Sequence, residues 1–232
     1  MAKKIKEAGR TKKLIMASLV FGPALILIFV STLRCDHKFT QLDYFGDIPH
    51  YQATTIDGKT ITNETFKDKV VIYTVLNESC PKDCAISIWD VDQQLFRKLK
   101  ENPGKLRNVK IVSFVVDKDG NPVEDLKNME QILQYNVLEY DPKIWILATG
   151  NAKELYNIEH NNRNLSEIEG DEYFNGKAYY SLLMLADKEN NLRMVLKGDS
   201  ESMVRKFHQY MTLLIKQIDK ERVKKMEADK RK

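Results

Sequence analysis

Two stretches of this chain, Val70–Leu76 (VVIYTVL) and Val109–Val116 (VKIVSFVV), are nearly unbroken runs of β-branched and aromatic residues. A strand exposed on one face alternates apolar and polar residues. A strand with no polar face must be covered on both sides, and parallel strands are the usual case. Helical patterns separate these runs from each other and from a third run, Ile144–Ala148. The alternation predicts an α/β fold, a central mixed β-sheet flanked by helices.

Smaller signals fill in the order. Tyr51–Ile56 and Lys59–Thr62 read as a hairpin across Asp57-Gly58, and Asn63 can cap a short helical turn through Phe66. Ile86, Ile88, Trp89, Val91, Leu95 and Leu99 recur at helical spacing, ended by Asn102-Pro103-Gly104. Pro122 is read as the first residue of a helix carrying Val123, Leu126, Met129, Ile132 and Leu133. Glu124 and Asp125 then suit the positive end of that helix. Asn151 caps a helix near Glu154–Ile158, and His160–Gly176 is polar and irregular. Tyr180–Ala186 and Leu192–Leu196 form a hairpin. The last helix places Met203, Phe207, Tyr210, Met211, Leu214 and Ile218 on one face. Trp89 and Trp145 are expected in the core.

From Leu14 to Leu33 the chain has no charged residue. About 20 apolar residues span a bilayer as a helix. Lys3, Lys4, Lys6, Arg10, Lys12 and Lys13 precede the run, so the positive-inside rule leaves the N-terminus in the cytoplasm. A cleaved signal peptide has a shorter apolar core and a small-residue exit, which Ser31–Cys35 does not offer. A lipoprotein signal at Cys35 is the second reading, with Arg34 in the place where a small residue belongs. The expected organisation is a cytoplasmic basic segment (1–13), a transmembrane anchor (14–34) and a juxtamembrane linker (35–45). A folded domain (46–215) and a charged helical tail (216–232) follow. The expected location is the inner membrane, single-pass, with the folded domain outside the cytoplasm.

Charge distribution excludes one class of partner. The first thirteen residues carry six Lys/Arg against one Glu, and the last seventeen carry eight against four acids. Within a whole-chain charge of +4 the interval between them is acidic by five. A nucleic-acid-binding body needs a basic face, and none is expected here.

The chemistry-bearing residues are Cys80 and Cys84, in Asn77-Glu-Ser-Cys80-Pro-Lys-Asp-Cys84, directly after the first buried run. With Pro81 at a first helical position, Cys80 reads as an N-cap. Unpaired amides there would draw its thiol pKa below about 8.5. Residues at i and i+4 lie about 6 Å apart, within disulfide reach. The pair can cycle between dithiol and disulfide, or hold a thiophilic ion such as Cu(I). A static structural disulfide is the plain alternative. So short a loop gains little from chain entropy.

These features resemble the Sco (SCO/SenC) family of thioredoxin-fold proteins, in which a strand leads into C-P-x-x-C. The Thr55–Thr62 hairpin is similar to the entry hairpin of thioredoxin-like redox domains. Val112-Ser-Phe-Val-Val-Asp117 resembles the family's second strand, and Trp145-Ile-Leu-Ala-Thr-Gly-Asn-Ala-Lys-Glu-Leu155 its W-x-x-L-T-G segment. The similarity spans roughly Gly46–Leu214. It implies a thioredoxin-like fold behind one N-terminal transmembrane helix. It also implies Cu(I) held by Cys80 and Cys84, and help in assembling the copper site of cytochrome c oxidase or reducing exported thiol proteins. The family's third copper ligand is a His shortly before the late strand, and Ala178-Tyr179-Tyr180 holds none. That departure lifts a second reading, a thiol–disulfide oxidoreductase with no metal role. There Cys80 is the nucleophile and Cys84 the resolving thiol. A third is a non-catalytic interaction module with a relic disulfide. A peroxiredoxin-like enzyme is more distant, since Asn77 stands where a Thr belongs. His160 is the one His that could reach back toward the thiols. His37 and Cys35 lie beside the bilayer, and His50 and His208 carry no motif. Asp117, at a strand end, could tune the thiols or simply start a loop.

Overall fold

The computed structural model describes residues 42–79, 86–160, 163–167 and 178–230, with scattered positions between 12 and 26. Two compact units are present, Met1–Thr40 and Gln41–Lys232. In the first, the described positions are helical, and Ile15, Met16, Phe21 and Ile26 are exposed. Among the described residues no helix is long and apolar enough to cross a membrane. Most of the 14–34 run lies outside them, as do Cys35 and His37.

The second unit is built on a seven-stranded sheet. Its strands are β1 (Gln52–Thr55), β2 (Thr60–Thr62), β3 (Val70–Asn77), β4 (Val109–Val116), β5 (Trp145–Gly150), β8 (Leu182–Ala186) and β9 (Leu192–Lys197). A separate two-residue pair, β6 (Glu159–His160) with β7 (Arg163–Asn164), lies within the segment expected to be irregular. The sheet order is β2-β1-β5-β4-β3-β8-β9. β3, β4 and β5 run parallel, while β8 is antiparallel to β3 and β9 to β8. β1 pairs antiparallel with β5 and with β2, across a turn where Gly58 takes φ +72°. The inner set β4-β3-β8-β9, with a helix between β3 and β4 and another after β9, is the thioredoxin-like arrangement. β5 and the entry hairpin extend it beyond β4.

Three helices and one helical turn lie on one face. α1 (residues 88–101) is α-helical over Ile88–Val91 and Arg97–Glu101 around a π-turn, Asp92–Phe96. α2 (Pro103–Leu106) is a single turn, α3 (Lys127–Asn136) joins β4 to β5, and α5 (Glu201–Asp229) closes the chain. Right-handed crossovers β3-α1-β4 and β4-α3-β5 step the same way across the sheet, so both helices fall on one side. Leu95, Phe96, Met129, Leu133, Phe207 and Met211 pack there against Ile72, Ile111 and Trp145. The other face is covered by the 45–51 entry stretch, the turn at Asn63–Phe66, and the return from β5 through α4 (Ala152–Leu155). The charged tail continues α5 as an exposed helix.

The helix starts differ from expectation. α1 begins at Ile88 with Ser87 as its N-cap, accepting from the Asp90 amide at 3.4 Å. The cap of that helix is therefore Ser87 and not Cys80. α3 begins at Lys127, five residues after Pro122. Asp117–Asn121 turns the chain back on itself, and Pro122 forms a bridge with Val116. Pro lacks the N–H that a helix start can spare, but an edge bridge can spare it too. Thr62 rather than Asn63 caps the Asn63–Phe66 turn, with Thr65 reciprocating. Trp145 is fully buried as expected, but Trp89 is 62% exposed, with the Arg97 guanidinium over its ring.

The π-turn has a use. It brings i and i+5 together, so fully buried Asp92 accepts from Arg97 Nε at 3.0 Å and Nη2 at 2.9 Å. At the entry end, Arg193 donates to Asp187 and to the carbonyls of Leu42 and Asp43. That clamp fixes where the chain enters the folded unit.

One polar chain crosses the central strands. Thr74 and Ser113 are register partners with hydroxyls 2.6 Å apart, and Trp145 Nε1 donates to Ser113 Oγ at 2.8 Å. Both hydroxyl residues are buried. Ser113→Ala leaves the indole N–H and the Thr74 hydroxyl without this partner in a dry core. The expected loss is about 1–3 kcal/mol, read as a lower urea midpoint at unchanged slope. Trp145→Phe in the same background should cost less than it does alone.

Candidate functional site

The carboxyl ends of β3 and β4 form the candidate thiol site. In an open α/β sheet, the ends of parallel strands are where loops converge without disturbing the covered faces. β3 runs to Asn77, and Glu78 N–H continues the ladder to the Val116 carbonyl at 2.8 Å. Asn77 Oδ1 then accepts from the Ser79 amide at 2.9 Å, and Glu78 Oε1 from Asn128 of α3 at 2.9 Å. The chain leaving the strand toward Cys80 is thereby tied to both β4 and α3.

Cys80 and Cys84 themselves lie outside the described residues, which stop at Ser79 and resume at Ile86. The far end of this interval is also anchored. Ile86 is buried, and a Cβ built on Gly198 would come within 3.2 Å of it and 2.9 Å of Leu183. Gly198 is thus the residue that lets Ile86 approach the end of β9. Its amide also donates to the Ser181 carbonyl at 2.6 Å.

An aromatic wall stands beside this end of β3. Because β8 runs antiparallel to β3, the 3-10 turn Ala178–Ser181 that feeds it lies next to the carboxyl end of β3. Tyr179 and Tyr180 are buried with ring centroids 4.6 Å apart, and Tyr156 stacks on Tyr179 at 5.6 Å. Tyr156 donates to the Leu182 carbonyl at 2.8 Å. Burial raises the Tyr180 pKa above that of ordinary phenols, reinforced by Tyr179 and by the carboxylates of Asp117 and Asp119. Tyr180 is therefore a neutral phenol near the β4 loop. In the sequence only their position just before a buried strand marks these tyrosines.

Asp117 has a local task. Its carboxylate accepts from the amides of Asp119 and Asn121, both at 2.8 Å, and these bonds to Asn121 above all hold its pKa below the ordinary value. It caps the β4 turn. Asp125 does the same for α3, accepting from the Lys127 amide at 3.0 Å. His50 Nδ1 lies 3.2 Å from Asn63 Oδ1, and half-buried His208 sits on α5, its pKa lowered by burial and by Lys98. The backbone of His160 belongs to β6. Among the described residues, no three His, Cys, Asp or Glu side chains group as a metal site.

Gly198→Ala should therefore loosen the end of the thiol segment. The added methyl must displace Leu183 or Ile86. The expected cost is about 1–3 kcal/mol, checked by chemical denaturation of the reduced protein. A change below the error of that measurement would mean that the contact is not restrictive.

No protein-family model matches this chain. No curated protein matches it either. Solved structures do. A SCO1/SenC family lipoprotein from Bacillus anthracis is 18% identical over 73% of this chain and 95% of its own, with a TM-score of 0.47. Yeast Sco1 with copper bound is 15% identical over 73% and 90%, TM-score 0.47. A putative protein disulfide isomerase from Bacteroides thetaiotaomicron is 16% identical over 75% and 91%, also at 0.47. Sco-family proteins thus stand among the structures to which this chain is similar.

Proposed function

We propose that this chain is a membrane-tethered, thioredoxin-like protein of the Sco kind, whose Cys80–Cys84 pair carries Cu(I) toward the copper site of cytochrome c oxidase. The observation that carries the reading is the placement of Cys-Pro-Lys-Asp-Cys. It follows the carboxyl end of β3, the strand that is parallel to β4 and antiparallel to β8 in the thioredoxin-like core. The tether rests on the uncharged run 14–33, its basic N-terminal flank, and the exposed apolar side chains Ile15, Met16, Phe21 and Ile26.

The donor set decides which copper ion suits. Two thiolates are soft ligands and satisfy Cu(I), whereas Cu(II) prefers nitrogen donors as well. The place where the family carries a His holds Tyr179 and Tyr180, and both phenols have raised pKa values. Neither supplies a nitrogen or a phenolate near neutral pH. The cargo is accordingly Cu(I), bound by the reduced pair.

The same observation favours a second reading, thiol–disulfide exchange on exported cysteine proteins without a metal. Cys80 would attack and Cys84 would resolve the mixed disulfide.

A competitive Cu(I) titration of the reduced full chain in detergent, against a chromogenic chelator, separates the two. One-to-one binding that is lost when Cys80 and Cys84 are both changed to Ser is the expected result. Binding no tighter than that control would overturn the copper reading. In that case Cys84→Ser should accumulate a mixed disulfide with a client thiol, visible on a non-reducing gel.

A further inference from the structure

A second site lies at the opposite end of the strands. The amino ends of β4 and β5, the β1–β2 turn and the Asn63–Phe66 turn border an open cavity of about 320 Å³. Its apolar part is made by Ile56, Ile61, Phe66, Ile146 and Leu147. Its rim carries four lysines, Lys59, Lys69, Lys110 and Lys143, against one carboxylate, Asp57. Asp57 is paired with Lys59 at 3.8 Å, which leaves three ammonium groups unbalanced within the lining.

These cations are positioned. Lys110 Nζ donates to the Lys143 carbonyl at 2.7 Å, which draws it against the β5 side of the cavity. Lys69 Nζ donates to the Thr65 carbonyl at 3.5 Å and lies 5.6 Å from the centre of the Phe66 ring. Burial, and then the charge of Lys69, lower the pKa of Lys110, with Asp141 opposing them. The lining holds more positive than negative charge, with Asp141 acting on Lys110 from outside it. A structural surface gains nothing from holding three like charges around an apolar hollow.

We propose that this cavity binds an amphipathic anion, with its acidic head held by Lys69, Lys110 and Lys143 and its apolar body seated on Ile61, Phe66 and Ile146. The ligand class is a phosphate or carboxylate on a hydrocarbon chain. A polar anion alone leaves the apolar floor wet, and a neutral apolar ligand leaves the lysines uncompensated. Two sources supply that chemistry. One is an anionic phospholipid of a bilayer, and the other is a dissolved amphiphile. The cavity lies at the end of the sheet where the chain enters. Asp68, beside Lys69, donates to the Lys188 carbonyl in the turn that also receives Ile48 at the Asn190 carbonyl.

The test is residue-by-residue lysine acylation of the full chain in phosphatidylcholine vesicles, read by mass spectrometry. Three additions are compared: phosphatidylglycerol in the bilayer, submicellar octyl phosphate, and inorganic phosphate. Exposed Lys224 and Lys225 on α5 are the internal reference. A bound anion raises the pKa of these ammonium groups and shields them. Acylation of Lys69, Lys110 and Lys143 is therefore expected to slow several-fold with phosphatidylglycerol or octyl phosphate, with the reference lysines unchanged. The arm that protects identifies the source. Equal protection by inorganic phosphate, equal slowing of the reference lysines, or no protection in either amphiphile arm overturns the proposal. Lys110→Gln combined with Lys143→Gln should abolish protection of Lys69, while Lys110→Arg keeps it. Alkaline extraction from the same vesicles reads the tether separately. Release of the chain would remove the tether and leave the octyl phosphate arm as a test of the cavity.

Discussion

The parallel pairing of β3 with β4, eight residues in continuous register from Val70↔Val109 to Asn77↔Val116, sets the terms for the rest of the unit. Fourteen of the sixteen ladder positions need cover rather than water, with Asn77 and Lys110 as the polar exceptions and only Thr74 and Ser113 polar within. Both faces must be closed. Helices α1, α3 and α5 close one, and the entry stretch with the return from β5 closes the other. Closed faces leave the strand ends as the places where polar chemistry can sit. The thiol segment follows the carboxyl end of β3, and the lysine-rimmed cavity lies at the amino ends of β4 and β5.

The strands were legible because burial on both faces writes itself into the composition of a run. Helix starts were less so. Pro122 satisfies the local rule for a first helical residue, yet the Asp117 turn directs it into a bridge with Val116 before α3 begins. Local propensity lost to a tertiary pairing. Trp89 fails for a different reason. Its spacing from Ile86 fits a helix, but the helix starts at Ile88 and passes through a π-turn. The buried series becomes Ile88, Val91, Leu95, Phe96 and Leu99, which puts Trp89 beside it and on the surface. The Thr74–Ser113–Trp145 chain was beyond reach. It depends on a register between strands far apart in sequence, and a sequence alone does not give register.

The thiol motif is legible as a spacing and as a position after a strand, although Cys80 and Cys84 lie outside the described residues. Its surroundings were not. Nothing in the spacing of Ala178-Tyr179-Tyr180 says that two rings stack 4.6 Å apart beside β3, or that Tyr180 feels the β4 loop carboxylates. Antiparallel entry of β8 beside β3 brings this about, and that pairing links residues about a hundred positions apart.

The wall of neutral phenols also shapes the chemistry proposed for Cys80 and Cys84. A nitrogen ligand beside two thiolates would let a site keep copper in either oxidation state. Buried tyrosines with raised pKa values offer neither nitrogen nor phenolate near neutral pH, so binding falls to sulfur. On that reading copper loading and thiol oxidation exclude each other, because a disulfide has no thiolate to give. The carrier and exchange readings then describe two states of one cysteine pair. The balance between them would be set by the redox poise around the pair and by the supply of Cu(I). A His at the place of Tyr179 or Tyr180 would weaken that coupling.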